Sequence, residues 1–83
     1  MNEYRGHAPA QWQTITNGLR ARPAQDRRPL PCRARIVWEH GGEEIITTTA
    51  IRYDPSDGAV YVLTRDGRNR FTGAWLRRDD VEV

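Results

Sequence analysis

The stretch Arg33-Ala34-Arg35-Ile36-Val37-Trp38-Glu39-His40-Gly41-Gly42-Glu43-Glu44-Ile45-Ile46-Thr47-Thr48-Thr49-Ala50-Ile51-Arg52-Tyr53 decides the fold. Apolar residues recur at every second position through Ala34, Ile36 and Trp38, the pattern breaks at Gly41-Gly42, and a run rich in Ile and Thr follows. Period-two alternation marks a half-buried strand, and a glycine pair between two such runs marks a two-residue hairpin turn. The expected hairpin joins Arg33–His40 to Glu43–Tyr53 and pairs His40 with Glu43, Trp38 with Ile45 and Ile36 with Thr47.

Toward the C-terminus, Asp54-Pro55-Ser56-Asp57-Gly58 is a turn by composition, with Pro55 presetting φ and Gly58 suited to a left-handed position. A third strand is expected over Ala59–Arg65. Asp66-Gly67 reads as a second two-residue turn, leading to a fourth strand over Arg68–Thr72. Gly73–Leu76 is then expected to leave the sheet, Arg77–Asp80 to form a tight helical turn, and Val81–Val83 to add a short last strand. These turns place Tyr53 opposite Val60, Ile51 opposite Val62 and Val62 opposite Phe71. One face then collects Ala34, Ile36, Trp38, Ile45, Thr47, Thr49, Ile51, Tyr53, Val60, Val62 and Phe71, with Leu76 and Val81 closing the core. The agreement of three hairpins on one apolar face supports the register, because a one-residue slip would turn a strand over.

Four meandering strands, a tight turn and a short fifth strand resemble the order of a small SH3-like or Tudor-like barrel over residues 33–83. The resemblance implies an all-β, small antiparallel barrel of four to five strands. It rests on element order and turn chemistry, and no functional residue is carried over with it. That architecture hosts nucleic-acid binders, peptide binders and structural modules alike.

Toward the N-terminus the signal weakens. Residues 1–8 carry no periodicity. Trp12, Ile15 and Leu19 lie at helical spacing between Pro9 and Asn17-Gly18, which predicts a short helix over 9–18, although Thr14, Ile15 and Thr16 favour a strand. Residues 20–32 hold three Pro and four Arg, the composition of an extended linker. The expected organisation is an N-terminal extension and linker over 1–32 and a β domain over 33–83.

The 83 residues suit one domain with a marginal core, and 37% hydrophobic content with three Trp and three Tyr supplies it. Charge is carried by 13 Arg, with no Lys. The absence of lysine fits a coding bias and carries no functional weight. Its distribution matters more: residues 1–35 hold seven Arg against Glu3 and Asp26, a net of +5, and residues 36–83 hold six Arg against nine acids, a net of −3. A basic leading arm on a mildly acidic body points to a negatively charged partner.

The expected register also sorts the arginines. Opposite the core it gives one row of Arg35, Thr48, Arg65 and Arg68, another of Arg33, Ala50, Leu63 and Arg70, and a third of Arg52, Tyr61 and Thr72. Six arginines around Ala50, Tyr61 and Leu63 are expected to form a surface suited to stacking bases and holding phosphates. Arg20, Arg22, Arg27 and Arg28 on the arm add backbone contacts. The competing reading lays the N-terminal segment over Tyr61 and Leu63 through Trp12, Ile15 and Leu19, with the arginines as its rim.

Chemistry-bearing constellations are sparse. His40 beside Glu39, Glu43 and Glu44 at a hairpin tip reads as solvated, Ser56 has no evident base, and neither a phosphate-cradling Gly-rich loop nor zinc spacing occurs. Cys32, the sole cysteine, excludes an internal disulfide and suits a reducing cytoplasm, the expected location. No run is long and apolar enough for a signal peptide or membrane span. The expectation is a non-enzymatic module without cofactor or metal that binds nucleic acid, DNA or RNA. The alternative is a protein-interaction module that docks an acidic protein surface, either an adaptor or a small inhibitor encoded by a mobile element.

Overall fold

A computed structural model describes residues 12–83. It is all-β: β1 (Gln25–Trp38), β2 (Gly42–Tyr53), β3 (Val60–Leu63), β4 (Gly73–Leu76), a 3-10 turn over Arg78–Asp80, and β5 (Val81–Glu82). The strands form one antiparallel sheet in the order β4-β3-β2-β1-β5. The sheet is open, which corrects the expected barrel: β4 and β5 are its two edges and do not pair. Four spacings of about 4.8 Å separate the edge strands. Five residue steps join Leu76 to Val81, a reach of at most about 18 Å, and the 3-10 turn shortens it. The sheet therefore curls without closing.

The hairpin register differs from the expected one. The turn consumes Glu39, His40 and Gly41, and Gly42 opposes Trp38 with a φ of +73°, a left-handed conformation that glycine adopts without strain. Ile36 then meets Glu44 and Ala34 meets Ile46. The displacement from the expected partners is an odd number of residues, so β2 turns over. Ile45, expected in the core, is 57% exposed, and Ala50 is buried in its place. The cause lies in β2, where Ile45-Ile46-Thr47-Thr48-Thr49 offers β-branched side chains to both faces and alternation selects neither. Trp38 helps fix the observed choice, because its indole N–H donates to Glu44 Oε1 at 2.6 Å.

At the next turn Tyr53 meets Val60 as expected, with Gly58 at φ +81°. Asp54 Oδ1 accepts from the Ser56 backbone N–H and hydroxyl, the side-chain mimic of a backbone turn. A register irregularity between Ala50 and Arg52 then sets Ala50, not Ile51, opposite Val62.

The expected fourth strand over Arg68–Thr72 is a loop instead. Residues 64–72 span from β3 to β4, tied at the base by Thr64 N–H donating to the Thr72 carbonyl and by Asn69 Nδ2 donating to Thr64 Oγ1 and the Gly73 carbonyl. Gly73–Leu76 pairs with β3 in its place, Val62 opposing Ala74 rather than Phe71. The physical reason is apolar area: Leu76 and Trp75 are buried here, whereas Phe71 is 66% exposed. The 3-10 turn and the short last strand stand where the sequence places them.

The core lies on one face of the sheet. Cys32, Ala34, Ile36 and Trp38 alternate inward from β1 and pack with Ala50, Val60, Val62, Leu76 and Val81. Ile36, Val62 and Leu76 are the largest fully buried side chains.

The N-terminal segment is neither helix nor free linker where it is described. Residues 12–18 contain no helix; positions 9–11, and His7 with residues 1–8, lie outside the described residues. Residues 12–24 form a strap that touches β1 and β4. Ile15 bridges Trp38 and Leu19 bridges Trp75. Asn17 anchors the strap where β5 ends, donating to the Arg35 carbonyl at 2.8 Å and accepting from the Val37 N–H at 2.9 Å. Beyond the strap, Gln25–Cys32 is already β1, so this Pro-rich part of the expected linker is strand. Pro29 and Pro31 fit because β5 covers β1 only at Arg33 and Ala34, leaving the earlier residues on an outer edge.

A candidate groove of arginines and aromatics

The strap, the 64–72 loop and the outer side of β3 and β4 enclose a groove of about 670 Å³. Its floor follows from pairing. Tyr61 faces Trp75 across β3 and β4 and Arg52 across β2 and β3, so all three point away from the core face of Val62. The Tyr61 and Trp75 rings meet edge to face at 5.5 Å. Arg52 lies over Tyr61 at 5.6 Å and Arg22 over Trp75 at 5.8 Å, both within the range of cation–π attraction. Gly73 leaves room for the Tyr61 ring, because a Cβ there would fall 2.8 Å from it.

One wall is the loop, from which Phe71 and Arg70 reach the groove. Arg70 stands between two exposed rings, 4.8 Å from the centroid of Trp12 and 5.3 Å from that of Phe71. The other wall is the strap, with Leu19, Arg20 and Arg22. The Gln13 N–H donates to the Arg68 carbonyl and the Leu19 N–H to the Trp75 carbonyl, both at 2.8 Å, so backbone bonds hold the strap to the loop and to β4.

Of the residues expected to bind a partner, Arg20, Arg22, Arg52, Tyr61 and Arg70 come together here. The others do not. Arg35 is held by Asp80 at 3.1 Å and Glu43 at 3.2 Å, and Arg33 by Glu82. Arg68 is bound by Asp66 and Glu44 and lies over Trp38 at 4.1 Å. Arg65 sits in the loop at φ +51°, and Arg27 and Arg28 are exposed on β1 away from the groove. The expected arginine rows are thus dispersed, apart from Arg52, Tyr61 and Thr72; the last accepts or donates a 3.0 Å hydrogen bond with the Tyr61 hydroxyl. The inversion of β2 is the cause, since it sends Thr48 and Ala50 to the core side.

The groove arginines differ in what neutralises them. Arg22 is bound by Asp57 at 2.5 Å and Asp54 at 3.4 Å. Both carboxyls are held below the usual carboxylate range, Asp57 by the Ala59 backbone N–H and then Arg22, Asp54 by the Ser56 N–H and hydroxyl. Arg22 is therefore a neutralised fastener of the strap. Among the described residues, the carboxylate paired with Arg52 is the well exposed Asp26. Arg20 and Arg70 form no ion pair among the described residues, and the partners of Arg70 are aromatic.

Sequence reasoning missed Trp75 and Phe71 as groove residues. Phe71 was expected inside and Trp75 outside the sheet. The signal available was the denser apolar content of Ala74-Trp75-Leu76 compared with Asn69-Arg70-Phe71-Thr72. Cys32 is buried on the core face, and burial pushes its thiol pKa up, which makes it a poor nucleophile at neutral pH.

Fold and groove together define a small open antiparallel sheet carrying an arginine–aromatic cleft. Comparisons with protein-family models, with curated proteins and with solved structures found no match to this chain.

Proposed function

We propose that this chain is a non-enzymatic nucleic-acid-binding module whose binding surface is the groove between the strap and β3–β4. The observation that carries the reading is Arg70, a guanidinium flanked by two exposed aromatic side chains, with Arg20 and Arg52 along the same cleft. Phosphates are attracted by guanidinium groups such as Arg20 and Arg70, which pair with no carboxylate among the described residues, and bases by aromatic surface left open to solvent. Arg33, Arg35 and Arg68 have internal partners and are assigned to the fold.

The test is a mobility-shift titration with single- and double-stranded DNA and RNA at low and moderate salt. Binding is expected to weaken steeply with salt, because each phosphate contact releases a counterion. Arg52→Glu combined with Arg70→Glu is expected to abolish the shift while thermal unfolding stays cooperative. Absence of any shift at low salt, or full binding by the double variant, overturns the proposal.

A protein-interaction reading has one observation in its favour. Phe71 and Trp12 beside arginine are the residue types that anchor protein interfaces. It predicts a partner in a pull-down that survives nuclease treatment and is lost in Phe71→Ala.

A further inference from the structure

We propose that the groove takes a single strand, with its backbone held by Arg20 and Arg52 and its bases stacked on Phe71 in the groove wall and on Trp12, which lies next to the groove on the other side of Arg70. This inference rests on the nucleic-acid reading and narrows it to one substrate class.

Two observations favour a single strand. First, Phe71 is 66% exposed and Trp12 40% exposed, and both rings lie against one guanidinium. An open aromatic face gains by meeting the face of a base. In a duplex those faces are already covered by neighbouring pairs, so the gain is available only from unstacked bases. Second, a cleft of about 670 Å³ matches a small-ligand site. It admits splayed bases; a duplex would lie across its rim and touch phosphates alone.

The arrangement also separates two energetic roles. Phe71 and Trp12 carry no charge, so they contribute stacking without counterion release. Arg20 and Arg52 lie elsewhere along the groove, on the strap and on β2, and contribute the salt-dependent part. The two roles are separable by experiment because different side chains carry them.

The experiment is fluorescence anisotropy with an end-labelled oligonucleotide of about 12 nucleotides, a length suited to one small binding surface. It is titrated as a single strand and as its duplex, against the full chain and against Phe71→Ala, Trp12→Ala and Phe71→Tyr. The single strand is expected to bind at least about 10-fold tighter than the duplex, and each alanine variant to lose about 10-fold in single-strand affinity. The slope of affinity against salt should stay unchanged in the alanine variants, and Phe71→Tyr should retain binding. Both rings are exposed, so the alanine variants should keep the wild-type melting temperature. Equal affinity for duplex and single strand, or alanine variants that bind like wild type, overturns the single-strand inference and leaves the nucleic-acid reading standing. Failure to bind either form at low salt overturns both.

Discussion

Gly73 shows how one atom decides the shape of the groove floor. It opposes Leu63 at the start of β4, and the Tyr61 ring rests over it. A Cβ there would collide with the Val62 carbonyl oxygen and crowd two atoms of that ring, at 2.8 and 2.9 Å. The carbonyl belongs to the β3–β4 ladder and has little freedom to move, so the strain falls on the strand pair. Gly73→Ala is expected to cost about 1–3 kcal/mol, the usual penalty for overpacking, read as a lowered urea midpoint with unchanged slope. A midpoint equal to wild type would mean that β4 does not pack beneath Tyr61. In the sequence Gly73 reads only as a break, because nothing local reveals that a ring from another strand occupies the space of its missing side chain.

At the scale of elements, β1 is two structures in one strand. Its 14 residues would extend about 45 Å, and β2 follows that length on one side while β5 and the strap cover only part of the other. From Cys32 to Trp38 its inner face is core, and its outer edge is covered by β5 and then by the strap. From Gln25 to Pro31 it pairs with β2 alone, across a register irregularity between Asp26 and Leu30, and its side chains are mostly exposed. Local opening follows burial and hydrogen bonding. Hydrogen exchange is therefore expected to be slowest at Ala34 and Ile36 and near the open-chain rate at Arg27 and Arg28. Uniform protection along β1 would contradict this division. The prolines that make this region read as a linker are the ones an uncovered edge tolerates, which is why composition there did not reveal the strand.

At the scale of the whole molecule, a charge cluster links the 64–72 loop to β1 and β2. Arg68 in the loop lies over Trp38 of β1 and binds Glu44 of β2 and its own neighbour Asp66. The Trp38 indole N–H and then Arg68 hold the Glu44 carboxyl below its usual range, and Arg68 does the same for Asp66. Folded-state values below the unfolded ones mean that the stabilisation is complete above the ordinary carboxylate range of about 4. It is lost as pH falls through the lower folded values. Urea midpoints are expected to drop on acidification below about pH 4, and Glu44→Gln to flatten that drop. Since Arg68 fixes the loop that carries Arg70 and Phe71, the same acidification should loosen one wall of the groove. An identical acid limb in Glu44→Gln would remove Glu44 from this role.

Alternation and turn chemistry by themselves determined that the chain is all-β and antiparallel, that β1 sends Ala34, Ile36 and Trp38 inward, that Tyr53 meets Val60, and that a tight turn precedes a short last strand. These features are written in neighbouring residues. The sequence also marked Arg52, Tyr61, Arg70, Arg20 and Arg22, which share the groove, but it grouped them with arginines that the fold sends elsewhere. Only the tertiary structure decided the face of β2, the identity of β4 and the placement of the strap. The Ile and Thr run satisfies either face, so a cross-strand indole–carboxylate contact and the burial of Ala50 chose between them. Asp66-Gly67 is a sound local hairpin signal, yet pairing Gly73–Leu76 buries more apolar area than pairing Arg68–Thr72. The open sheet, and the groove beside it, follow from those long-range choices.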